Sequence, residues 1–189
     1  MSLAALIEAL ALGPVHLAGL SWGGTVVLEL YRHRPELVAT LILADTYAGW
    51  RGSLPADEVR SRVEAVQRML AAPDTLARSL PDMFAGEPPP RFLPLLHELA
   101  GAVRPESVRA QLRIMAETDQ RDQLPRIAVP TLLLWGELDA RSPLGVARAF
   151  EQAIPDARLI IIPAAGHLSN LEQPERFNDA VRAFCLGSR

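Results

Sequence analysis

Cysteine is almost absent from this chain of 189 residues: Cys185 stands alone, so neither an intrachain disulfide nor a cysteine-ligated metal site can form. Lysine is missing altogether, and all 19 basic residues are arginine, a bias we read as codon usage in a GC-rich genome rather than as chemistry. The longest uncharged stretch, residues 9–28, is interrupted by Gly13-Pro14, His16 and the glycines and serine of 19–24, so no membrane-spanning segment is expected. Nor is there a block of one charge: the formal net charge of −3 is spread along the chain, leaving no footprint for nucleic acid or for an anionic membrane surface. The start is expected to be a mature helix, since no basic residue precedes the apolar run ending at Ile7 and Glu8 interrupts it. A cytoplasmic protein acting on a small molecule is expected. Zinc-spaced His/Cys clusters and G-x-G-x-x-G loops are also missing, so the expected chemistry uses no metal and no cofactor.

What is present is apolar: 49% of the residues are hydrophobic and 22% charged. A chain of this size buries about 70% of its unfolded surface, enough for one full core. Four runs are apolar with little alternation, Val15 to Leu20, Thr40 to Ala44, Thr131 to Trp135 and Arg158 to Ile162, and such runs suit parallel strands covered on both faces. Between them lie helical stripes. Leu3, Leu6, Ile7 and Leu10 follow Ser2 as a candidate N-cap and stop at Gly13-Pro14. Val146, Ala149, Phe150 and Ala153 follow Ser142-Pro143, and Phe177, Ala180, Val181 and Phe184 follow Gln173-Pro174. The alternation of strand and helix predicts an α/β fold with about four parallel strands.

One connection breaks this rhythm. Residues 47–127 hold no convincing strand, only helical patterns such as Val59, Val63, Val66 and Leu70 punctuated by Pro73, Pro81 and Pro88-Pro89-Pro90. A structureless loop of that length is improbable, so the reading is a helical cap insertion at 47–127, with a core formed by 1–46 and 128–189 and the proline triplet as a stiff hinge.

The sharpest local signal is Gly19-Leu20-Ser21-Trp22-Gly23-Gly24, a G-x-S-x-G sequence between a strand and a helix. Flanking glycines permit a tight turn that leaves the serine exposed at the end of the strand, and the new helix points free N–H groups toward it. A hydroxyl nucleophile needs a base, and the base needs an orienting acid. Among the four histidines, His16 falls in a strand, His33 on the next helix and His97 in the insertion. His167 instead follows the Arg158 to Ile162 run, at the same sheet edge as Ser21. Two carboxylates share that edge: Asp139 is preferred because it ends the adjacent strand, and Asp45, after Ala44, is the alternative. Glu137 reads as a loop charge. The backbone N–H of Trp22 is the candidate oxyanion donor. A second donor, expected from a loop after an earlier strand, has no counterpart in the sequence.

These blocks, with Val129 to Asp139 and Gly166 to Phe177, resemble the α/β-hydrolase superfamily, in particular its capped bacterial branch of 3-oxoadipate enol-lactonases and related carboxylesterases. The resemblance implies Ser21 as nucleophile, His167 as base and Asp139 as acid, cleaving small esters or lactones through an acyl-enzyme. It also implies an N-terminal truncation, since members of that branch begin with further strands. Val15 to Leu20 then becomes an open edge, and a homodimer through it is expected. Two alternatives stay open: a catalytically weak remnant that binds a ligand or partner in the same pocket, and an acyltransferase or perhydrolase using the same intermediate. Arg51, Arg109 and Arg113 are candidates to meet a substrate carboxylate, although a solvated surface accounts for most such arginines. Trp50 and Phe84 are candidate pocket walls, with core packing the plainer account of each.

Overall fold

A computed structural model of the chain describes residues 2–71, 83–102 and 104–187. Pro73 and Pro81 lie outside the described residues. Four parallel strands form one sheet in the order β1 (Val15–Leu20), β2 (Val38–Ala44), β3 (Thr131–Gly136), β4 (Ala157–Ile162). Each observed strand contains its expected run, with at most two added residues at an end. The helices are α1 (Leu3–Ala9), capped by the Ser2 hydroxyl on the N–H of Ala5, and α2 (Trp22–His33). Between β2 and β3 come α3 (Trp50–Ser53), α4 (Ala56–Ala71), α5 (Leu93–Ala102) and α6 (Pro105–Glu117), with no strand among the described residues of that segment. After β3 follow α7 (Leu144–Ala153), then past β4 the short α8 (Ser169–Glu172) and α9 (Pro174–Gly187). Pro90 opens a single 3-10 turn leading into α5, as a proline at a first helical position does.

The two faces of the sheet are covered unequally. On one, Leu41, Leu43, Leu133 and Trp135 pack against Ile7, Val27, Leu28, Tyr31 and Phe150 from α1, α2 and α7, giving the larger part of the core. On the other, Ile42, Ala44, Leu132, Leu134 and Ile162 meet only the half-buried Phe177, Ala180 and Val181 stripe of α9 and its neighbours. Coverage on both faces therefore holds for β2 and β3, which are buried along nearly their whole length. It fails for the outer strands. In β1 Leu17 and Gly19 are buried while His16 and Ala18 are exposed, because β1 is the sheet edge and α9 packs over β3 and β4. In β4 Arg158 is exposed. His16 is not wasted there, since its Nδ1 lies 2.8 Å from the Thr40 hydroxyl of the next strand.

Candidate active site

The turn from β1 into α2 is tight enough to force Ser21 to φ 52° and ψ −120°, a region that a residue with a side chain rarely occupies. Its N–H is held by the Ala44 carbonyl at 2.9 Å, and its own carbonyl accepts from the Thr46 hydroxyl at 2.5 Å and the Gly24 N–H at 3.0 Å. The glycine requirement is uneven. A Cβ on Gly19 would stand 2.5 Å from the backbone of Gly23, and one on Gly24 would collide with the Thr46 side chain, whereas one on Gly23 would meet nothing within 4 Å. The glycine after the serine is thus not demanded by space, contrary to the symmetrical reading of the motif. The N–H groups of Trp22 and Gly23, at the open end of a 12-residue helix, have no acceptor among the described residues.

The structure brings Ser21, His167 and Asp139 together. His167, 1% exposed in the loop after β4, has Nε2 at 2.8 Å from Ser21 Oγ and Nδ1 at 2.9 Å from Asp139 Oδ2. With the ring proton on Nδ1, as the carboxylate partner dictates, Nδ1 donates to Asp139 and Nε2 accepts from the serine hydroxyl. Asp139 is itself fixed, because its Oδ1 accepts the N–H groups of Arg141 at 2.8 Å and Ser142 at 2.9 Å. The neighbouring positions of β3 and β4 in the sheet account for the meeting of the two loops.

Asp45 goes elsewhere. It is fully buried at the end of β2, where Oδ1 accepts the Gly136 N–H at 2.7 Å and Oδ2 the Ser169 hydroxyl at 2.6 Å. Burial, opposed only in part by these bonds and aided by the nearby Asp139 charge, pushes its carboxyl well above the usual range. Glu137 is exposed and accepts the Ala164 N–H at 3.0 Å. His33 pairs with Glu29 at 3.0 Å on the surface of α2, and His97 is exposed on α5.

A cavity of about 240 Å³ opens at Ser21, walled by Trp22, Trp50, Met69, Met115 and Arg141 among others. Trp50 is therefore part of the wall. Phe84 is not, being stacked on Phe92 with centroids 6.0 Å apart. Arg51, Arg109 and Arg113 do not line it either; all three are exposed, and the latter two border a separate cavity between α4 and α6. Among the described residues, the arginine that lines the Ser21 cavity is Arg141, outside the insertion.

A further feature has no sequence signal. Glu172 accepts the N–H groups of Ala85, at 3.0 Å, and of Gly166, at 2.6 Å, while the Leu168 N–H donates to the Met83 carbonyl at 2.8 Å. These bonds clasp the residues around Ala85 onto the loop that carries His167. A Cβ on Gly166 would stand 2.5 Å from the Ala85 nitrogen, so the contact is close enough to demand glycine. Among the described residues, no group of three or more His, Cys, Asp or Glu is placed to hold a metal ion, and no helix is long and apolar enough to cross a membrane.

The chain is similar to the pimeloyl-[acyl-carrier protein] methyl ester esterase of Chromobacterium violaceum, 31% identical over 170 residues covering 87% of this chain and 67% of that protein. It is likewise 31% identical to 3-oxoadipate enol-lactonase 2 of Acinetobacter baylyi, over 95% of this chain and 66% of that one. Among solved structures, a thermophilic esterase from Thermogutta terrifontis superposes with a TM-score of 0.84 at 32% identity, covering 98% of this chain and 70% of that one. The alpha/beta hydrolase family matches residues 2–180, and the chain belongs to that family.

Proposed function

We propose that the chain is a serine hydrolase of small carboxylic esters or lactones. The observation that carries this is the continuous relay from Ser21 Oγ to His167 Nε2 and from His167 Nδ1 to Asp139 Oδ2, buried at one end and open to a cavity at the other. Three relatives carry names of the same chemistry, an ester esterase, an enol-lactonase and a putative carbamate hydrolase, which supports hydrolysis at a carboxyl carbon.

In this reading Ser21 Oγ attacks the carbonyl carbon as its proton passes to His167 Nε2. Asp139 holds the ring and stabilises the imidazolium that forms. The oxyanion meets the N–H of Trp22 at the positive end of α2. The tetrahedral intermediate collapses to an acyl-Ser21 ester, and His167 returns its proton to the departing alkoxide. Water then repeats the sequence and releases the acid. The segment 47–127 acts as a cap whose Trp50, Met69 and Met115 exclude water around the acyl chain.

Hydrolysis of p-nitrophenyl acetate and butyrate tests this. Ser21→Ala is expected to lower turnover by on the order of 10⁴-fold or more while leaving the folded spectrum unchanged. Brief exposure of the wild type to substrate, followed by acid quench, is expected to give a mass increase of one acyl group on the peptide bearing Ser21. Equal rates for wild type and Ser21→Ala would sink the proposal. One observation favours a second reading, a weakly active binding protein: the free N–H groups described at the elbow, those of Trp22 and Gly23, both belong to α2. That reading predicts ligand binding retained in Ser21→Ala with no turnover in either protein. The open edge of β1 supports a homodimer, checked by light scattering across micromolar concentrations.

A further inference from the structure

Asp139 pins the ring of His167 at Nδ1, and a ring pinned there alone can still swing Nε2 away from Ser21 Oγ. The second constraint is the backbone of residues 166–168. The loop of Asp139 takes anchors from the core, where the Trp135 indole N–H donates to the Ser142 carbonyl at 2.8 Å and the Ser142 hydroxyl to the Thr46 carbonyl at 2.7 Å. The loop of His167 meets the core further from its functional residue: the Ala165 carbonyl accepts the Leu138 N–H at 2.9 Å, and the Ser169 hydroxyl donates to Asp45. The residues on either side of the histidine turn to the insertion instead. Leu168 donates its N–H to the Met83 carbonyl. Gly166 donates to Glu172 Oε2 at 2.6 Å, while Oε1 of the same carboxylate accepts the Ala85 N–H at 3.0 Å. Glu172 ends α8, so its side chain folds back across six positions and closes residues 166–172 around the histidine. The insertion is itself held where it meets this loop. Phe84 is buried and stacked on Phe92 at the turn into α5, and a Cβ on Gly166 would stand 2.5 Å from the Phe84 carbonyl carbon.

A carboxylate suits this place, because it accepts from two N–H groups at once and carries no donor to turn against either. Both bonds are charge-assisted, the stronger kind. We infer that Glu172 is a positioning residue for the base: with one carboxylate it binds the loop of His167 to residues 83–85 of the insertion, and so fixes the backbone from which Nε2 reaches Ser21 Oγ. Glu172 acts through Gly166, since it neither lines the Ser21 cavity nor bonds to a side chain of the relay. A displacement of about 1 Å in a reacting group costs on the order of 10²-fold in rate, which is the scale on which this clasp works. The inference rests on His167 serving Ser21 as its base.

The test compares wild type, Glu172→Gln and Glu172→Ala on p-nitrophenyl butyrate, under conditions where urea titration shows each protein folded. Glu172→Ala is expected to lose on the order of 10²-fold in kcat with KM unchanged, since the cavity wall stays intact. Glu172→Gln keeps one acceptor and is expected to fall between the other two. Gly166→Ala pushes the insertion off the loop with Glu172 still in place, and a lower kcat at constant KM is expected there as well. Lower stability with kcat kept in Glu172→Ala, a rise in KM alone, equal rates for the two Glu172 variants, or full kcat in Gly166→Ala overturns the inference while leaving ester hydrolysis in place. Should Glu172→Ala fail to fold, Glu172→Gln and Gly166→Ala against wild type carry the same test. Should the wild type cleave the ester no faster than Ser21→Ala, the hydrolase reading fails and the ring is read directly. The His167 and Asp139 side chains are fully buried, so the Nδ1 proton between them is expected to give a low-field NMR resonance, identified by its loss in His167→Gln. A shift or broadening of that resonance in Glu172→Ala supports the positioning role, and an unchanged resonance, or none in the wild type, overturns it.

Discussion

Asp139 and Asp45 end adjacent strands of one sheet, and both are buried, yet they do different work. Asp139 turns one oxygen to a histidine and the other to two loop N–H groups, whereas Asp45 joins the β3 end to the Ser169 hydroxyl and never meets the ring. The difference lies in what faces each acid. The loop after β4, which delivers His167, is beside β3 and one strand further from β2, so sheet order selects the orienting acid before any electrostatic preference enters. Asp139 orients the ring of His167, while Asp45 serves the frame and bears a desolvation cost that its hydrogen bonds offset only in part.

Asp139→Asn probes that division most strongly. The amide keeps an oxygen for the N–H groups of Arg141 and Ser142 but presents an N–H or a neutral oxygen to His167, favouring the wrong tautomer. Ester turnover is expected to fall on the order of 10⁴-fold with little change in the denaturant midpoint. The mirror-image result is expected at Asp45. Asp45→Ala orphans the Gly136 N–H and the Ser169 hydroxyl and is expected to cost about 2 to 4 kcal/mol of stability, read from urea unfolding. If Asp45→Asn lowered turnover as far as Asp139→Asn does, the division between the two acids would be broken.

The pH dependence of stability sharpens the contrast. The folded-state pKa of Asp45 lies above its unfolded value of about 3.9, so between the two the folded chain holds a proton that the unfolded chain has released. Stability from this group is complete below the unfolded pKa and is lost as pH rises toward the folded one. Asp45→Asn stays neutral throughout and can hydrogen-bond to both partners. Its stability relative to wild type is therefore expected to improve steadily from pH 4 upward, and a flat difference across urea midpoints would contradict this.

Much of the frame was legible along the chain, because strands, caps and the elbow are local patterns. The Ser21, Asp139, His167 order was legible for the same reason: each residue follows a strand end. What escaped was set by contacts between distant segments. Trp50 and Phe84 are equal candidates for the pocket wall in the sequence, and only the fold separates them, by placing Trp50 at the Ser21 cavity and stacking Phe84 on Phe92. The Glu172 bond to Ala85 spans 87 residues. Nothing in the sequence sets Arg141 apart from Arg51, Arg109 and Arg113, and only the fold brings it to the cavity while they stay exposed. The exposure of His16 and Ala18 is not legible in the same way: the resemblance marks Val15 to Leu20 as an edge, but an apolar run does not report that α9 packs over β3 and β4 only.

The smallest expected effect concerns the elbow, where, as at Asp45 with φ 46°, the backbone is held in the left-handed half of conformational space. Holding a non-glycine residue there costs about 1 to 3 kcal/mol. Ser21→Gly removes that strain, and against it stands the greater flexibility of the unfolded glycine chain. The balance is expected to be a gain of about 1 kcal/mol, or a Tm higher by about 2 to 4 °C in calorimetry, with ester turnover abolished. Ser21→Ala abolishes turnover equally but keeps the Cβ, so its Tm should stay near that of wild type. Such a split would show that the fold gives up stability at this position to hold a hydroxyl where the Asp139 and His167 relay can use it, whereas equal Tm values for the glycine and alanine variants would place the strain elsewhere in the turn.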